Sequence, residues 1–268
     1  MTLNARNRLF KILFIISSSV LGLLLLTAIL RMIFGKPVSL PDFDFSAITG
    51  VGSFLFTSMP YAALFSTICI SIYAPIVSFL VRYSFEKTQS AEIVYFSVFI
   101  IGCLCEIFSL AIPVFSLWDS YSYLLLFIGR GAFAGRLLTL FSFLFAALFS
   151  QESQAQEADR NVIITIFLAV LFAAIIPVDT RTISDAMMVK TGFSTTFSAA
   201  KIALTVITFF TFFFTDRKMT GIGYLLLYGG YAVLITGSSV FTILLGGFMI
   251  VTGSKIYLNE IHTYYLWK

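Results

Sequence analysis

Two side chains of opposite charge, Glu106 and Arg130, fall deep inside apolar runs and are the first candidates for chemistry. A charged group in hydrocarbon costs roughly 3 to more than 10 kcal/mol unless it meets water, a counter-ion or backbone carbonyls. A buried carboxylate can relay a proton or hold a cation; paired with an arginine it can fix two helices in register or line a binding site. Glu106 lies as far before the predicted end of the third apolar span as Arg130 lies after the predicted start of the fourth. If Ser116 to Ser120 is a tight connection, both sit at a depth of about 14 Å, and a Glu106–Arg130 intramembrane ion pair is expected. Gly102, Glu106, Ser109 and Pro113 recur at helical spacing, so the carboxylate heads a small and polar stripe that should face protein.

A second arginine, Arg136, shares the helix of Arg130, with Gly131 and Gly135 between them in a Gly-x-x-x-Gly pattern. Arg136 points about 120° away from Arg130 around the axis, and the glycines fall in the opposite arc. The fourth span therefore needs protein on three sides, which places it centrally in a bundle or at a subunit interface. Small residues let helix backbones approach closely in lipid. Gly131, Gly135 and Arg136 are accordingly expected at a packing seam or interface, with snorkelling to a headgroup as the other use of Arg136. Gly223, Gly230 and Gly237 recur every seven residues and form a second such seam, within the chain or between copies.

Other chemistry is sparse. The one histidine, His262, lies beyond the predicted spans, which excludes haem and zinc sites built on histidine. No metal and no cofactor are expected. Cys69, Cys103 and Cys105 have neither CxxC nor zinc-ligand spacing. Metalloprotease, Walker and GxSxG patterns are absent, and no two intramembrane carboxylates stand together, so catalysis is not expected. The loop from Asp179 to Lys190 mixes charges and is read as a solvated outer loop. The segment Gln151 to Arg160, carrying Glu152, Glu157 and Asp159, is read as a polar inner linker able to dock a partner.

The elements that position these groups follow from composition. The chain is 59% hydrophobic and only 11% charged, where a soluble domain is about a quarter charged; this deficit demands a bilayer. Net charge is +4 without a basic cluster, which argues against nucleic acid as a partner. Apolar runs predict spans near 10–33, 58–81, 92–115, 121–150, 161–178 and 196–215. The first follows Arg6, Arg8 and Lys11 and is read as a retained span rather than a cleaved leader. Val51 to Pro60 is too short to cross and reads as an interfacial or re-entrant helix; Pro75 should kink the second span.

Met219 to Leu258 would make one helix of about 60 Å, twice the hydrocarbon thickness. Turn chemistry at Thr236-Gly237-Ser238-Ser239 splits it in two. That gives eight spans, with seven as the alternative. With seven spans Lys and Arg divide almost evenly between the two faces; with eight a clear excess falls on the side of the N-terminus, the arrangement cytoplasmic loops favour.

Residues 1–268 are thus expected to form an all-α, polytopic transmembrane helix bundle, a single membrane-embedded domain with no soluble domain. Its setting is a cell membrane, of bacterial inner-membrane type, with the N-terminus cytoplasmic. The composition and missing catalytic motifs imply a non-enzymatic subunit of a membrane complex or a sensor-like bundle, with a protein partner or further copies beside it. The alternative is a small transporter or channel with Glu106 and Arg130 along its route.

Overall fold

The computed structural model describes residues 3–35, 38, 40, 50–85, 90–118, 123–149, 158–184, 186–215 and 217–266. Within them, eight helical stretches are long and apolar enough to cross a bilayer. They are α1 (Leu3–Ile33), α3 (Pro60–Ser84), α4 with α5 (Ala91–Leu104 and Ile107–Phe115), α6 (Tyr123–Leu148), α7 (Ala158–Ile175), α8 (Ser194–Phe214), α9 (Lys218–Thr236) and α10 (Val240–Leu266). With eight crossings both ends of the chain lie on one face of the membrane, here the terminal side; the opposite face is the far side. The fold is an all-α bundle of multi-pass type, as composition requires.

The turn that divides the last apolar stretch falls where its residues predict. Gly237 ends α9 in an extended conformation. Ser239 and Thr242 then exchange backbone–side-chain hydrogen bonds of 3.2 and 3.4 Å, a reciprocal cap that starts α10. A Cβ on Gly237 would sit 2.6 Å from Val233 O, so the turn itself requires glycine. Gly223 and Gly230 face α10 rather than another copy: a Cβ would stand 2.8 Å from Tyr257 N and 2.9 Å from Gly246 O respectively. The seven-residue glycine spacing is an intramolecular seam.

The short helix expected before Pro60 is α2 (Val51–Phe56). Three links hold it at the α9–α10 turn. Met59 N–H donates to Ser238 O (2.7 Å), Ser58 and Ser238 hydroxyls lie 2.6 Å apart, and Phe56 packs on Phe241 at 5.0 Å. Pro60 then takes the first position of α3, where its missing N–H costs nothing. α3 remains helical through Pro75.

The far-side loop between α7 and α8 differs from expectation. Asp179 to Lys190 falls within an antiparallel hairpin of β1 (Val178–Ile183) and β2 (Val189–Thr191), pairing Val178 with Thr191 and Asp179 with Lys190. It is packed rather than merely solvated: Val178 and Val189 close on Gly129 of α6, and Met187 is fully buried. The expected docking segment Gln151 to Arg160 lies mostly outside the described residues, as do the tip of the Ser116–Ser120 connection and Trp267.

α6 is the central helix. Some 61% of its spanning window is buried, against 11% for α8 and 17% for α1, and it packs on α4, α5, α7 and α8. Its closest neighbour is α4. A Cβ on Gly102 would meet Gly135 O at 2.7 Å, one on Gly135 would meet Gly102 O at 2.8 Å, and one on Gly131 would strike the Phe108 ring at 2.9 Å. Gly131 and Gly135 are thus seam residues within the chain. The first two contacts are backbone, which cannot step aside. We therefore expect Gly135→Ala to destabilise the bundle by about 1–3 kcal/mol, as overpacking does, while Gly247→Ala, with open space around it, leaves it unchanged or slightly more stable. Melting temperatures of the two variants in one detergent check this; equal values would refute the close approach.

Candidate functional site

The third span does not cross as one regular helix. α4 ends at Leu104 and α5 begins at Ile107. Between them Cys105 and Glu106 take φ, ψ of −63°, −15° and −66°, −15°. The backbone bonds tighten to three-residue spacing, with Glu106 N to Cys103 O at 3.2 Å and Ser109 N to Glu106 O at 2.9 Å. Such a turn of 3₁₀ geometry inside a helix often marks a site under functional constraint. It sets the Glu106 side chain into the bundle, where the residue is 1% exposed.

The counter-ion of Glu106 is Arg136, not Arg130. Arg136 Nε lies 3.0 Å from Oε1 and Nη2 lies 3.1 Å from Oε2, a two-pronged contact of the strong, oriented kind. Tyr231 on α9 donates its hydroxyl to Oε1 at 3.0 Å, and Ser109 on α5 donates to Oε2 at 3.4 Å. Arg136 Nη2 reaches Ser109 Oγ at 3.5 Å. Three elements besides the α4–α5 break therefore converge on one carboxylate.

The expected Glu106–Arg130 pair fails on register. Depth counting took the third span to end at Phe115 and the fourth to start at Tyr121. α5 does end at Phe115, where Ser116 turns the chain in a left-handed conformation (φ 55°), and α6 is described from Tyr123. The Gly102–Gly135 and Phe108–Gly131 contacts lie about one and three residues off the symmetric alignment, and Arg136, which follows Gly135, is the arginine that reaches Glu106. Arg130 moves toward the far side, where its Nε is buried with no hydrogen-bond partner among the described residues. Its neighbour Gly129 lies under the β-hairpin. Arg136, expected at an outer interface for want of a partner, has one inside the bundle.

Two further groups escaped the sequence reading. Lys201 on α8 feels the charge of Arg136, and no carboxylate pairs with it among the described residues. It sits two turns into α8, about 10 Å along the helix. Two cations therefore share the neighbourhood of one anion. Glu92, read as a loop-end residue, is 0% exposed and forms an ion pair with Arg217 at the α8–α9 turn. The Arg217 guanidinium lies 4.0 Å from the centroid of the Tyr264 ring, within cation–π range. Ser90 caps α4 and donates to Glu92 Oε2 at 3.3 Å. A Ser-x-Glu sequence at the start of an apolar run was the available signal.

His262 lies within α10 rather than beyond the spans, its ring 5.4 Å from Phe85. Among the described residues no three His, Cys, Asp or Glu side chains come together as metal ligands would. Cys103 and Cys105 flank the site as free thiols.

No protein-family model, curated protein sequence or solved structure matches this chain.

Removing one partner of a buried pair strands the other charge, which costs about 3–5 kcal/mol. We expect Arg136→Leu to destabilise the bundle by that amount, Arg130→Leu by clearly less, and Glu106→Leu with Arg136→Leu to recover most of the loss. Denaturant unfolding in detergent, analysed as a double-mutant cycle, measures it. Near-additive single losses would remove the pair from the account.

Proposed function

We propose that this multi-pass membrane protein is non-enzymatic and works as a sensor-like bundle or complex subunit, in a bacterial-type inner membrane with both termini cytoplasmic. One observation carries this reading: both oxygens of Glu106 are taken by donors from α5, α6 and α9. A carboxylate so occupied serves as a joint between helices, with no lone pair held open for a travelling cation. The joint has a means of being addressed. Lys201, on the helix with the least buried span, brings a cation with no counter-ion among the described residues into the field of Arg136. An acidic group from a partner's transmembrane segment would pair with Lys201 and shift the balance at Glu106. The expected outcome is a stoichiometric protein companion, or a second copy, in native mass spectrometry after mild extraction from the protein's own membrane. That companion should be lost in Lys201→Gln and kept in Lys255→Gln. A monomer under all extraction conditions, or a companion indifferent to Lys201, would overturn the reading.

A second reading, a small transporter, rests on the broken third span, since interrupted helices near the midplane often mark transport sites. It requires Glu106 to exchange partners during each cycle. Proton flux into reconstituted vesicles, followed with an enclosed pH dye, should then collapse in Glu106→Gln; unchanged or absent flux sinks this reading.

A further inference from the structure

The N-terminal end of α1 carries three cations, and the fold treats them differently. Arg6 is 3% exposed and donates to Phe85 O at the end of α3. Arg8 and Lys11 are exposed, one helical turn apart. Across the α1–α3 seam, Arg82 near the end of α3 is exposed as well. These three line one concavity of about 480 Å³ together with Asn7, Phe79 and Tyr83. No carboxylate belongs to that lining among the described residues. Among the described residues, none of the three cations makes an ion pair or a hydrogen bond through its charged group. Arg6 is thus used by the fold, whereas Arg8, Lys11 and Arg82 converge on a space in which no described residue neutralises them. Three like charges in one pocket repel, and this arrangement is stabilised only if an anion enters.

The surroundings specify the kind of anion. The pocket stands at the terminal-side end of the seam, closed below by Phe14 against Phe79 at 5.8 Å. From it two strips of exposed apolar side chains descend into the bilayer, Ile12, Ile15 and Ile16 on α1 and Ile76 and Phe79 on α3. Tyr83, 81% exposed, flanks the basic groups at the level where amphipathic rings settle among headgroups. A free phosphate would use the cations and ignore the strips. We propose that this pocket binds the headgroup of an anionic phospholipid from the terminal-side leaflet, with its acyl chains along the α1–α3 seam. Basic pockets between transmembrane helices bind such headgroups, and three cations match a lipid with two phosphates better than one with a single phosphate. The larger groove between α3 and α10, about 840 Å³, offers only Lys255 and His262 at its polar end, so size favours that groove but charge favours this pocket.

The test uses the purified full chain, delipidated in mild detergent and titrated with phosphatidylcholine, phosphatidylglycerol or the two-phosphate lipid cardiolipin, with retained lipid counted by native mass spectrometry. The expected result is one anionic lipid held per chain, cardiolipin more tightly than phosphatidylglycerol, and no discrete phosphatidylcholine adduct. Arg8→Gln with Arg82→Gln should weaken retention at least tenfold, whereas Lys218→Gln with Lys255→Gln, an equal loss of charge elsewhere, should change it less than twofold. Both double variants should melt like the parent in lipid-free detergent, which separates loss of binding from loss of fold. Equal losses in the two double variants would reduce the effect to bulk electrostatics and overturn the site. Displacement of the lipid by millimolar inorganic phosphate would overturn the choice of lipid as its occupant.

Discussion

An ionised carboxylate in hydrocarbon must be satisfied on every side or not exist as an ion, and much of this bundle is arranged around meeting that condition for Glu106. Donors must come from α5, α6 and α9 at once, so these helices cannot take independent positions. Arg136 reaches the carboxylate with both prongs because α4 and α6 approach closely, and they approach closely because Gly102 and Gly135 put backbone against backbone. The 3₁₀ turn at Cys105–Glu106 aims the side chain inward. Small residues, helix break and ion pair are a single device; alone, the glycines would make a close crossing of no chemical interest, and the charges would be expelled.

Lipid tails are as apolar as leucine, so helices in a membrane gain little from burying apolar surface against each other. Packing must come from shape and from directional contacts. Aromatic rings supply much of it here. Phe96 stacks on Tyr257 at 5.7 Å, Phe143 meets Tyr257 edge-on at 5.3 Å, and Phe99 meets Tyr231 at 5.9 Å. The last of these holds the ring whose hydroxyl serves Glu106. Tyr73 adds a 2.7 Å hydrogen bond to Ser254 between α3 and α10. The glycine seam between α9 and α10 lets Tyr257 enter this cluster from a helix that would otherwise stand too far away. α1 and α8, with the least buried spans at 17% and 11%, lie at the edge of the bundle, although Phe212 of α8 reaches Tyr224 and Tyr257.

What could be read from the sequence divides by the range of the physics involved. Span number, the division at Gly237–Ser239, the short helix before Pro60 and the central place of α6 all follow from local composition and from charges or glycines on one helix. The partner of Glu106 did not, because it depends on the register of two helices and on which face of α6 meets the third span, and Arg130 and Arg136 differ in both. The carboxylate is aimed by a break in the third span, where Cys105 and Glu106 give no Gly or Pro signal. Lys201 was passed over because an isolated lysine near a span end reads as an anchor; its neighbour Arg136 becomes visible only when α8 lies beside α6. The hairpin at Val178–Thr191 was hidden by polar residues that serve a strand as well as a loop.

The two buried carboxylates of the third span both bind a group of α9, one by an ion pair and one by a hydrogen bond. Glu92 and Glu106 stand at the start and end of α4, about 21 Å apart along it. Their partners include Arg217, which opens α9, and Tyr231, toward its other end. α4 and α9 are therefore bolted at two depths, and α9 is in turn zipped to α10 by glycines along its length. Sliding α9 against α4 would break one charged contact in hydrocarbon, a cost of several kcal/mol, whereas shifting α1 or α8 breaks far less. The bundle thus resolves into a stiff inner group and a compliant outer pair. Arg8, Lys11 and Lys201, which have no counter-ion among the described residues, lie on that outer pair, where binding free energy could be converted into movement at least cost.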